Sequence, residues 1–115
     1  MDAIKDFWPL LLLGGWLAYR TWKTKRVVMK LEDLKQQGAT LVDVRSKAEF
    51  SSGSAPGSLN IPLDELNQRL SEIPADKPVV LACASGARSG MAASFLKSQG
   101  YAEVYNIGSW THFMS

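Results

Sequence analysis

One cysteine, Cys83, and one histidine, His112, stand in a chain of 115 residues. A lone cysteine excludes an intrachain disulfide framework. It also cannot complete a zinc site with one distant histidine, so no metal centre is expected. The thiol is left with packing or chemistry. Long hydrophobic runs are scarce too. The most apolar stretch, FWPLLLLGGWLAY at residues 7–19, holds 13 residues, short of the ~20 that a membrane-spanning helix usually takes. Internal repeats and low-complexity tracts are missing, although SSGSAPGS at residues 51–58 reads as a loop. The chain is too short for two ordinary domains, and its 46% hydrophobic content supports a real core rather than global disorder.

The net charge of +2 is unevenly spread. Residues 1–30 carry six basic side chains (Lys5, Arg20, Lys23, Lys25, Arg26 and Lys30) against Asp2 and Asp6, leaving seven basic against nine acidic in residues 31–115. The basic excess belongs to the N-terminal segment, and nucleic-acid binding by the remainder gains no support. Counted from residue 4 to residue 22, with Lys5 and Arg20 snorkelling outward, the segment reaches 19 residues, and a single pass becomes geometrically feasible. Trp8, Trp16, Tyr19 and Trp22 suit interfacial belts, and Pro9 falls in the first turns, where its missing N–H costs least. A cleaved signal peptide fits poorly, because MDAIKD is not basic and no small-x-small site precedes Arg20. The positive cluster after the run places the C-terminal domain on the cytoplasmic side, as at a bacterial inner membrane. A helix lying on an anionic surface, or one packed on the domain, is the competing reading. The expected division is therefore residues 1–26 as a hydrophobic, membrane-spanning helix with a basic flank, and residues 27–115 as one folded domain.

Within that domain, strands and helices alternate. Residues 27–29 read as a short first strand, and residues 30–37 as a helix stopped by Gly38. Residues 39–44 (ATLVDV) form an apolar strand, followed by a short helix at 47–51 and a brief strand at 59–61. Leu63, Leu66, Leu70 and Ile73 recur at helical spacing. Residues 78–82 (PVVLA) are continuously hydrophobic, as a strand buried on both faces must be. A helix at 88–99 follows, with Met91, Ala92, Phe95 and Leu96 inward, then a last strand at 103–106 and a terminal helix at 108–114. Such alternation predicts a parallel α/β sheet covered on both sides. In that architecture sites form at the carboxyl ends of strands, and Cys83 lies there.

The segment CASGARS leads from strand into helix. A loop of this form curls backbone N–H groups around one point, and the new helix adds its positive dipole end. The anion so stabilised is the Cys83 sulfur itself, since a helix N-terminus depresses thiol pKa toward thiolate at neutral pH. Ala84, Ser85, Gly86 and Ala87 are small enough for close backbone approach, while Arg88 and Ser89 add a cation and a hydroxyl.

CASGARS resembles the rhodanese active-site pattern Cys-x-x-Gly-x-Arg-Ser, with Cys83, Gly86, Arg88 and Ser89 in register. Upstream, LVDVRSKAEFSSGSAPGSLNIPL is similar to the same family's second signature, through Asp43, Val44, Arg45, Glu49, Phe50, Gly53, Pro56, Gly57, Asn60, Ile61 and Pro62. Downstream, YNIGSW resembles its closing Asn-Leu-x-Gly-Gly segment. The resemblance implies a rhodanese-like α/β fold, a five-stranded parallel sheet with helices on both faces. It also implies sulfane-sulfur transfer through a Cys83 persulfide. A donor such as thiosulfate would load the sulfur, and an acceptor such as cyanide, a thiol or a persulfide-accepting protein would remove it, with no cofactor. Backbone amides of Ala84, Ser85, Gly86, Ala87, Arg88 and Ser89 would bind the persulfide. Asp43, Arg45 and Glu49 read as a structural ion-pair and hydrogen-bond network near the site. Arg88 is open between contact with a substrate anion and structural pairing.

Two positions depart from the family pattern: Ser54 where histidine is frequent, and Ser109 in place of the second glycine. Neither removes the nucleophile. A small phosphatase or arsenate reductase of related fold is a weaker alternative, because a phosphate-cradling loop needs one residue more than the four separating Cys83 from Arg88. A non-catalytic interaction domain is weaker as well, since the cysteine and its loop are intact.

Overall fold

The computed structural model describes the backbone of residues 2–115 and the side chains of residues 11–115. The chain opens with one long helix, α1 (Asp2–Gln36), followed by β1 (Thr40–Asp43), α2 (Lys47–Ser52) and β2 (Leu59–Asn60). Two short 3-10 helices (Leu63–Gln68 and Leu70–Glu72) lead to β3 (Val79–Cys83), α3 (Ala87–Ser98), β4 (Val104–Ser109) and a closing 3-10 turn, Trp110–Met114.

The sheet is parallel throughout, with strand order β2-β1-β3-β4. Successive residues of β3 point to opposite faces, and all five are buried. Val79, Leu81 and Cys83 join Val42, Ile61, Leu66, Ala92 and Leu96 beneath α3. Val80 and Ala82 join Val27, Leu31, Leu34, Ile107 and Phe113 beneath α1. After β1 the chain leaves toward β2, and after β3 it leaves the opposite way toward β4. The crevice between these departures, at the strand carboxyl ends, is where an open α/β sheet builds a site.

Four strands form among the described residues, not the five expected. Residues 27–29, read as a strand, are the interior of α1. Val27, Leu31 and Leu34 recur at helical spacing on one face and are all buried, burial worth roughly 1.5–3 kcal/mol per side chain. That helical period outweighs the β preference of two adjacent valines. The helix expected over residues 63–73 is instead the pair of 3-10 segments. Leu66 and Ile73 are buried, but Arg69 leaves the helical region at φ −120°, and Pro74 directly after Ile73 stops any continuation. In α3, Met91 is 64% exposed rather than inward. The expected terminal helix starts later, because Gly108 and Ser109 belong to β4.

Among the described residues no helix is long and apolar enough to cross a membrane. This overturns the expected pass at residues 4–22, and the membrane placement of the domain falls with it. The helix has length but not the apolar run: 35 residues contain the 13-residue stretch, and Arg20 and Lys23 follow within a turn. Arg20, expected at a headgroup, donates to the protein's own Ser85 carbonyl. Trp16, Tyr19 and Trp22 carry the guanidinium of Arg20, the amine of Lys23 and the guanidinium of Arg26 at 5.6, 5.8 and 4.9 Å from their rings. The side chains of Ile4, Lys5, Trp8 and Pro9 lie outside the described set.

Candidate active site

Cys83 ends β3 with no solvent-accessible surface. The chain then turns through Ala84 and Ser85, both exposed, to Gly86, whose φ of +100° an L side chain rarely adopts. That turn brings the Gly86 N–H to 2.9 Å from Cys83 Sγ. Buried Ser89, in the first turn of α3, sets its Oγ 3.4 Å from the same sulfur. Burial alone pushes the thiol pKa up. Hydrogen bonds from the Ser89 side chain and from the N–H groups of Ser89, Gly86 and Ser85 more than offset it, so the net direction is down.

A second tier fixes this loop. Asn106 on β4 donates from Nδ2 to the Gly86 carbonyl at 3.0 Å, and its Oδ1 accepts from Ser89 Oγ at 2.7 Å and from Gly108 N–H at 3.0 Å. The Ser89 hydroxyl has one proton, and the shorter contact to Asn106 holds it while Cys83 is a thiol. Asn106 reaches these partners through a bulge. It pairs with Leu81, but Gly108 pairs with Ala82, so Ile107 is an extra residue. Beyond it, Gly108 turns with φ +83° and brings its Cα within 3.3 Å of where a Gly86 Cβ would stand.

Asp43, Arg45 and Glu49 occupy the neighbouring strand end. The carboxylate of Asp43, wholly buried, accepts from Arg45 Nη2 at 2.8 Å and Nε at 2.9 Å, and from the Arg45 N–H at 3.0 Å. Arg45 also donates to the Gly53 carbonyl at 2.7 Å and stacks over the Trp110 ring at 4.4 Å. It thereby ties β1 to the end of α2 and to the C-terminal turn. Glu49 completes a capping box with Ser46 at the start of α2. It then grips Arg88 bidentately, at 2.6 and 3.0 Å. Arg88 and the Ser46 N–H hold the Glu49 pKa down to about 2. Of the two readings open for Arg88, the geometry has it in an ion pair bracing the loop against α2. Ala87 is exposed at the loop's outer corner.

A profile of the rhodanese-like domain matches residues 27–115. The chain belongs to that family. Thiosulfate sulfurtransferase GlpE of Pseudomonas syringae is 38% identical over 74 residues, covering 64% of this chain and 70% of that protein. An uncharacterized protein of Bacillus subtilis, YqhL, is 49% identical over 69 residues, which is 60% of this chain and little more than half, 55%, of the relative. Among solved structures, the human single-domain sulfurtransferase TSTD1 matches at TM-score 0.61 with 34% identity, covering 74% of this chain and 89% of that one.

For a rhodanese-like domain the loop residues were legible in advance, but two supports were not. Asn106 was visible only as the asparagine of the closing segment; its grip on Gly86, 20 residues away, was not. Arg20 sits in the segment that composition assigned to a bilayer. His112 is half-buried and donates from Nδ1 to the Ile107 carbonyl at 2.8 Å, a packing role.

Proposed function

We propose that this chain is a sulfurtransferase whose Cys83 carries the transferred sulfur as a persulfide. The observation that carries the reading is the sulfur's setting: buried, faced by the Gly86 N–H at 2.9 Å, and acidified despite burial. In the first half-reaction the Cys83 thiolate attacks the outer sulfur of a donor such as thiosulfate. A new S–S bond forms, the donor S–S bond breaks, and sulfite departs with the bonding electrons. In the second, an acceptor such as cyanide attacks the terminal sulfur, thiocyanate forms, and the thiolate returns. The loop N–H groups are aimed at the thiolate sulfur, where negative charge sits before sulfur is loaded and after it is handed on, an electrostatic role independent of any cofactor. Arg88, already paired with Glu49, holds the loop's shape instead of meeting substrate.

The test is mass measurement of the full chain after thiosulfate exposure, coupled to thiocyanate release with cyanide. The expected result is a gain of one sulfur and turnover in the wild type, with neither in Cys83→Ser. Folded protein that takes up no sulfur from thiosulfate or from other simple donors overturns the reading.

A further inference from the structure

The Ser85–Gly86 peptide unit has two faces, and both are engaged. Its N–H points inward to Cys83 Sγ at 2.9 Å. Its carbonyl, directed the opposite way across the trans peptide, accepts from Arg20 Nη2 at 2.5 Å. Arg20 comes from α1, on the far side of the sheet from the sulfur, and its guanidinium stands 3.1 Å from where a Gly86 Cβ would lie. The carbonyl one residue on, that of Gly86, is held by Asn106 at 3.0 Å. The loop is therefore gripped at two consecutive carbonyls, one by α1 and one by β4. Only the Ser85 contact is charged.

We propose that Arg20 is a positioning residue for the sulfur chemistry, acting through the Ser85–Gly86 peptide. Two effects run in the same direction. The hydrogen bond fixes the peptide plane with its N–H on the sulfur. The positive charge on the carbonyl polarises that peptide, strengthening the N–H as a donor to an anion. Arg20 touches neither sulfur nor substrate. The role rests on the reading of Cys83 as the reacting sulfur and extends it: Arg20, outside the loop motif and outside residues 27–115, helps set the thiol's acidity.

The experiment titrates the Cys83 thiolate in the full chain by ultraviolet absorbance, with Cys83→Ser as the blank. The wild type is compared with Arg20→Gln, Arg20→Lys and Lys23→Gln. Arg20→Gln should raise the thiol pKa by about half a unit, which is about threefold less thiolate at any pH below both values. Arg20→Lys should recover part of the shift. Lys23→Gln, which removes a neighbouring charge of the same helix, should leave the titration unchanged. Folding is controlled by thermal melting; Arg20 is exposed, and the anchors Val27, Leu31 and Leu34 stay in place. An unchanged pKa in folded Arg20→Gln overturns the proposal, and so does an equal rise in Lys23→Gln, which would assign the effect to helix charge alone. The titration needs no sulfur donor. Sulfur transfer by the wild type with an Arg20-independent pKa therefore sinks only the Arg20 role, whereas a shifted pKa without sulfur uptake sinks only the sulfurtransferase reading.

Discussion

Replacing Ser89 with alanine separates two quantities that its hydroxyl joins. The Oγ lies 2.7 Å from Asn106 Oδ1 and 3.4 Å from Cys83 Sγ, and the residue is wholly buried. Against a neutral thiol the lost bond is the one to Asn106. Asn106 Oδ1 keeps its bond from Gly108 N–H at 3.0 Å, so no acceptor is stranded and the cost to folding is about 1 kcal/mol. Against a thiolate the hydroxyl can turn to the sulfur, and a hydrogen bond to a charged group is worth about 1.5–3 kcal/mol. Turning gives up the Asn106 bond of about 1 kcal/mol, and the long 3.4 Å separation favours the lower figure, so the net gain is about 0.5 kcal/mol, or about 0.4 of a pKa unit. The expected outcome for Ser89→Ala is a thiol pKa raised by about 0.4 of a unit with unfolding free energy reduced by about 1 kcal/mol. Thiolate absorbance against pH reads the first, and urea unfolding below the thiol pKa reads the second. A thiol pKa that does not move in folded Ser89→Ala would refute the reasoning, because the hydroxyl would then contribute only to packing.

Arg45→Ala leaves the buried Asp43 carboxylate without its cation and should cost about 3–5 kcal/mol, read by urea unfolding at neutral pH. Glu49 has a folded pKa held down to about 2 from an ordinary 4.5, so its ionised form favours the folded state. That contribution is complete above pH 4.5 and fades as pH falls toward about 2. Melting temperature should therefore drop more steeply through this window in the wild type than in Glu49→Gln, and parallel curves would show that the Arg88 pair carries no linkage.

The strand–loop–helix around Cys83 was legible because its signals are local: a continuous apolar strand, a cysteine at its carboxyl end, a glycine for the left-handed turn, then helix. The Asp43–Arg45–Glu49 network was legible as a network, though only the structure shows Glu49 spending its carboxylate on Arg88. Misreadings fell where local and long-range preferences compete. Val27 and Val28 look like a strand until Leu31 and Leu34 extend the same helical face. The leucine run at residues 10–13 looks like a membrane segment until Arg20 finds Ser85, 65 residues away. The 3-10 turns replacing the helix at residues 63–73 share its hydrophobic spacing, so pattern alone does not separate them. Asn106 is the sharpest case. Its role depends on Ile107 being an inserted residue in β4, and a bulge of that kind follows from strand pairing rather than from any neighbour in the chain.

Zero solvent exposure at Cys83 turns access into a kinetic variable. A reagent meets the sulfur only while the loop is transiently displaced, so a measured rate is an opening equilibrium multiplied by the rate at the open sulfur. Each ~1.4 kcal/mol in the opening free energy is a tenfold change in that rate. The carbonyl grips therefore act with opposite signs: that of Arg20 acidifies and aims the sulfur, while those of Arg20 and Asn106 together lengthen its time behind the closed loop. A variant that loosens them can react faster with a small oxidant yet hold a poorer thiolate, so accelerated inactivation by peroxide would not by itself mean a better nucleophile.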